Sequence, residues 1–138
     1  MAGTLNVDTI AEVTSANGVV IDGGTIKDGN SDLGRTTQAL TITGAITVTS
    51  GLVLLDHASV IIEATLAAPT AGDELFIVDS SATGTAAHTV TAAAGVTFDG
   101  TNNTATLNAL GEALHIIAIS ATRWLIVTNL GSVSLSSV

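Results

Sequence analysis

Residues 39–49 read ALTITGAITVT, and the run alternates with period two. Leu40 and Ile42 fall on one side of an extended chain and Thr41 and Thr43 on the other; after Gly44-Ala45, Ile46 and Val48 resume opposite Thr47 and Thr49. Successive side chains of a strand point to opposite faces, so such a run suits a sheet with one side on a core and one in water. A helix would need apolar residues three and four apart, a spacing nearly absent along this chain. The Gly44-Ala45 break predicts a hairpin or a bent strand.

The same pattern recurs on either side. Strands are expected at 52–55 (LVLL), 59–66 (SVIIEATL), 74–79 (ELFIVD), 88–92 (HTVTA), 96–98 (VTF), 104–108 (TATLN), 113–119 (ALHIIAI) and 123–128 (RWLIVT). The segments between them, AAPTAGD, SSATGTAA, DGTNN, ALGE and NLGS, carry turn chemistry. Turn signals at roughly eight- to twelve-residue intervals are those of a sandwich or barrel of short strands. The fold class predicted is all-β: an antiparallel, jelly-roll-like β-sandwich over residues 37–138, preceded by an arm at 1–36.

Residues 113–119 add a constraint. Leu114, Ile116 and Ala118 point one way and His115, Ile117 and Ile119 the other, so neither face suits water. In a two-layer domain one face meets the opposing sheet, and the second needs another cover, most simply a neighbouring subunit. His115, Ile117 and Ile119 are therefore expected at a subunit interface. Trp124, alone among apolar neighbours in RWLIVTNL, is expected in core or subunit packing and is grouped with them.

The arm raises the same question. Residues 17–29, NGVVIDGGTIKDG, place apolar groups between Asp-Gly turns too closely spaced to fold over them. Leu5, Val7, Ile10, Val13, Val19, Ile21 and Ile26 need burial, which a short Gly-punctuated segment achieves by winding with copies of itself or lying on a partner protein. These seven are the expected partner-binding residues.

Composition agrees. Hydrophobic residues make up 46% of the 138, yet aromatics are 2% and charged residues 11%, with mean hydropathy +0.60. Small and β-branched side chains dominate, which suits closely packed sheets. With 3 basic and 12 acidic residues there is little charge to keep a lone copy dissolved, so much of the surface is expected to be covered by other chains. A net charge of −9 leaves no footprint for nucleic acid or anionic lipid, and neither is expected as a partner. No cysteine, no cleavable leader pattern and no apolar run of spanning length is read in the sequence.

Catalytic and metal patterns fail on inspection. Asp28, Asn30 and Asp32 imitate the start of a calcium loop, but Leu33 stands where glycine is needed and Ala39 where the bidentate Glu belongs. His57, His88 and His115 match no zinc spacing, and no nucleophile elbow exists. Asp73-Glu74 reads as solvated turn charge, and a glycan hydrolase would need a carboxylate pair in a groove, with activity lost on replacing acids such as Glu63 or Glu112. No enzyme, cofactor or metal is expected.

The segment TLNVDTIAEVTSANGVVIDGGTIKDG resembles a module found near the start of tailed-bacteriophage virion proteins. The stretch from APTAGDELFIVDSS to ISATRWLIV is similar to the β-domain of phage capsid decoration and fibre proteins. The resemblance implies a homotrimer with the arm as attachment or intertwined stalk. Lacking a long shaft and an aromatic tip, the chain fits a decoration, or cement, protein on the outer capsid surface, bound to the major capsid protein and assembled in the host cytoplasm. The alternative is a short tail- or head-fibre module that binds host surface glycans.

Overall fold

The computed structural model describes residues 36–83 and 86–138. Its strands are β1 (Thr36–Leu40), β2 (Gly44–Ile46), β3 (Gly51–Leu55), β4 (Glu63–Leu66), β5 (Glu74–Asp79), β6 (His88–Ala92), β7 (Thr104–Leu107), β8 (Ala113–Ser120), β9 (Arg123–Leu130) and β10 (Ser134–Ser136). They form two five-stranded sheets, the first ordered β1-β3-β5-β8-β9 and the second β10-β7-β6-β4-β2. From β1 to β6 the chain crosses between sheets at every step, so each strand lies parallel to the one two before it. After β6 the pattern changes. β7 stays beside β6, β8 and β9 form a hairpin on β5, and β10 returns to β7, all antiparallel.

Alternation builds the core. Val53, Leu55, Leu75, Ile77, Leu114, Ile116, Ala118 and Trp124 of the first sheet are buried together with Ile46, Ala64, Leu66, Val90, Ala92, Ala105 and Leu107 of the second. Burying a side chain of the Val, Leu or Ile kind contributes roughly 1.5–3 kcal/mol, so this layer is the main source of stability. Phe98 and Ile62, both wholly buried, close it from the loops. One glycine is required by contact: at Gly51 (φ 145°) an added Cβ would lie 2.0 Å from the Thr36 carbonyl oxygen, so β1 pairs there because no side chain intervenes.

The all-β sandwich is as expected, but the antiparallel, jelly-roll-like arrangement is not: four of the eight strand pairings are parallel. Alternation specifies which residues face inward, not the direction of the neighbouring strand. ALTITGAITVT is likewise no hairpin, since β1 and β2 belong to different sheets. Thr41, Ile42 and Thr43 form an exposed corner, with Ile42 71% exposed. The Gln38 side chain staples that corner: its Nε2 donates to the Ala45 carbonyl at 2.8 Å and its Oε1 accepts from the Thr47 N–H at 2.8 Å. Of the strand expected at 59–66 only 63–66 forms, because His57 Nδ1 accepts the N–H groups of Ser59 and Val60 and bends the chain. Of 96–98, only Thr97 makes a bridge, to Arg123.

Candidate functional site

The side chains that point away from the core differ between the two sheets. On the second sheet they are mainly hydroxyls. Thr65 lies beside Thr91 and Glu63 beside Thr89; Thr89 and Thr91 lie beside Thr106 and Thr104, which neighbour Ser134 and Ser136. The Thr91 and Thr104 hydroxyls are 3.2 Å apart, within hydrogen-bond reach. Such a face is hydrated readily.

The first sheet turns out a different surface. Leu52 and Leu54 lie beside Phe76 and Val78, Phe76 beside His115, Glu74 beside Ile117, and Ile117 beside Leu125. These aliphatic and aromatic groups make one apolar patch across β3, β5, β8 and β9. Two irregularities in the β8–β9 ladder leave Ile119 and Val127 without a cross-strand partner and push them out, 49% and 48% exposed. Leu130, beside Ala113 at the far end, is 58% exposed. A shallow dimple of about 200 Å³ lies between Phe76, Ala113, Leu114, His115, Thr128 and Leu130.

One polar pair interrupts the patch. The His115 ring stacks on Phe76, with centroids 4.1 Å apart and planes 10° from parallel. Its Nε2 lies 2.7 Å from Glu74 Oε1. Glu74 is the one carboxylate of this face among the described residues, and the imidazole partners it. Arg123, at the start of β9, directs its guanidinium to the Asp99 carbonyl at 3.2 Å, away from the patch.

The sequence-derived candidates separate accordingly. His115, Ile117 and Ile119 come together on the outer face of the first sheet. Trp124, grouped with them, sits instead on the inner face of β9 at 1% exposure, opposite Ala118. It forms the floor of an apolar groove of about 360 Å³ lined by Ile46, Val48, Leu66 and Pro69. Leu5, Val7, Ile10, Val13, Val19, Ile21 and Ile26 lie outside the described residues, as do the 1–36 arm's first 35 positions and Asp28, Asn30 and Asp32. Reading missed Leu52, Leu54, Phe76 and Val78, although LVLL and ELFIVD are apolar on both faces in the same way as ALHIIAI.

A second constellation is polar but inaccessible. Asp79, Ser81 and His88 are each 0% exposed. Ser81 donates both its hydroxyl, at 2.6 Å, and its N–H, at 3.0 Å, to Asp79 Oδ1. His88 Nε2 lies 3.9 Å from the same oxygen, and its Nδ1 accepts the Ile62 N–H at 3.0 Å. A nucleophilic serine would address the imidazole; this one addresses the carboxylate, so the trio is an internal tie between β5, β6 and the loop before β4. Glu63 and Glu112 do not converge either. Glu63 is exposed on the second sheet, whereas Glu112 is buried and its Oε2 accepts the N–H groups of Asn108 (2.6 Å) and Ala109 (3.1 Å). Among the described residues no group of three or more His, Cys, Asp or Glu is placed to hold a metal ion.

Compared with known proteins, the chain matches no family model, and no curated protein matches it.

Proposed function

We propose that the chain is a structural subunit of a tailed-phage virion: a capsid decoration protein that binds the outer surface of the assembled head as a homotrimer and stabilises it. The observation that carries this reading is the contrast between the two outer faces. A sandwich that turns threonine and serine hydroxyls out on one side and Leu52, Leu54, Phe76, Val78, Ile117 and Leu125 on the other is suited to lie between protein and water. The resemblance of the N-terminal segment and of the β-domain to phage virion proteins supplies the setting.

Cementing demands little chemistry. A subunit that binds the assembled shell and not its separated parts shifts the equilibrium toward the shell by mass action. The acidic chain, −9 per copy, docks favourably against a locally basic shell surface and is repelled by DNA. Residues 1–36 are assigned to the capsid contact and the β-domain to projection outward.

The test is co-sedimentation of the purified chain with shells that lack it, followed by heating. The full chain should pellet with shells and raise their disruption temperature, and a 37–138 truncation should stay in the supernatant. Failure of the full chain to bind any shell overturns the reading. Binding on a glycan array in its place would establish the fibre-module alternative.

A further inference from the structure

We propose that Gln38 seals the free edge of the second sheet against strand addition, its side-chain amide standing in for the peptide group of a further strand. The inference is independent of the phage reading above. Among the described residues β2 ends that sheet, with β4 on one side of it and no strand on the other. An edge of this kind presents open N–H and C=O groups, a template on which an extended segment of another chain can pair. In a parallel ladder the residue added opposite Ile46 would donate its N–H to the carbonyl of the residue before Ile46 and accept, on its own carbonyl, the N–H of the residue after it.

Gln38 makes that pair of bonds from a side chain. Its Nε2 donates to the Ala45 carbonyl and its Oε1 accepts the Thr47 N–H, both at 2.8 Å, and these are the two residues that flank Ile46. The same oxygen lies 3.3 Å from the Val48 nitrogen and from the Thr47 hydroxyl. A carboxamide carries the donor and the acceptor of a peptide group, and here it meets the edge as a backbone would. The position of Gln38 in β1 is a second observation. It pairs with Val53, a core residue, so its side chain leaves the inner side of the first sheet, where alternation calls for an apolar group such as Leu40 two residues on. An inward polar residue at a sheet margin obstructs pairing with a foreign strand. The excluded segment is also specified: its residue opposite Ile46 would turn inward beside the apolar groove that Ile46 lines, so an aliphatic side chain suits that place.

The experiment titrates an acetylated and amidated peptide with the sequence of residues 63–67, EATLA, into the isotopically labelled full chain; in β4 this stretch pairs with β2 from its other side. Gln38→Met keeps the length of the side chain and removes its amide. In that variant the backbone amide signals of Ala45 to Val48 should shift on addition of peptide. Wild type should bind the same peptide about tenfold or more weakly, because two hydrogen bonds must first be broken. A peptide methylated at its leucine nitrogen, which cannot donate to the Ala45 carbonyl, should bind neither. A folded Gln38→Met chain that ignores the peptide overturns the inference; so does wild type that binds it equally well, and so does equal binding of the methylated peptide. Should Gln38→Met fail to fold, Gln38→Asn, too short by one methylene to span both groups, takes its place with the same outcomes expected. Failure of both variants to fold would show that Gln38 is required by the fold itself, and overturns its role as a seal.

Discussion

His88 Nδ1 accepts the backbone N–H of Ile62, 26 positions away, in a site where both residues are wholly buried. The bond fixes the ring: an accepting Nδ1 places the proton of the neutral imidazole on Nε2, which points toward Asp79. It also ends the chain's bend before β4, since Ile62 precedes the first residue of that strand. Replacing His88 by Leu leaves a buried N–H without an acceptor, a loss of about 1–3 kcal/mol. His88→Asn, whose side-chain oxygen can occupy the Nδ1 position, should recover part of it. Urea denaturation of the two variants distinguishes this bond from simple volume; equal midpoints would show that the acceptor is immaterial.

Gly51 should tolerate no side chain. With an added Cβ 2.0 Å from the Thr36 carbonyl oxygen, Gly51→Ala forces β1 away from β3 while the remaining ladders of that sheet persist. Amide hydrogen exchange should show loss of protection confined to the β1–β3 ladder. Unchanged protection there would mean that the backbone accommodates the methyl.

Trp124 and Ile119 should behave oppositely, although both lie at the β8–β9 turn. Trp124→Ala removes the largest buried side chain and should destabilise the fold by about 3–5 kcal/mol. Ile119→Ala alters a side chain 49% exposed and should leave the unfolding midpoint of the monomer within about 0.5 kcal/mol of wild type. Thermal melts at low protein concentration check both.

Asp99 makes a small contribution to the acid dependence of stability. Its carboxyl lies below the ordinary value of 3.8, chiefly because the Asn102 N–H donates to it, with further donation from the Asn102 side chain and the Thr101 N–H. A depressed folded pKa means that its contribution is fully present above the unfolded carboxyl range and is lost as pH falls through the folded value. The effect is small, since the group is exposed. NMR titration of the Asp99 carboxyl should give a midpoint below 3.8, and Asn102→Ala should raise it.

Strand positions were legible because alternation is a property of the strand itself: LVLL, ELFIVD, HTVTA and ALHIIAI became β3, β5, β6 and β8 within a residue or two. Strand direction was not, because it depends on which sheet the chain enters next, and a corner such as Thr41–Thr43 reads like more strand. On the candidate face His115, Ile117 and Ile119 were visible from a strand apolar on both sides. The role of β9 was hidden by the bulge at Val127: Leu125 and Thr128 both pair with outward residues of β8 despite their odd spacing, while Trp124 turns inward. A single unpaired residue resets the alternation, and no local sequence signal announced it.

The crossing of β1 to β6 between sheets bears on how the domain forms. None of β1 to β5 bonds to its immediate sequence neighbour, and Thr36 meets Gly51 only after the intervening chain has visited the other layer. By contrast β8 and β9 are separated by Ala121 and Thr122 alone, so their hairpin closes with the smallest entropy loss. A ribosome delivers them in the opposite order. The strands that emerge first must wait, largely unzipped, for a nucleus that is translated after them, and renaturation should accordingly be slow beside that of helical domains of the same size.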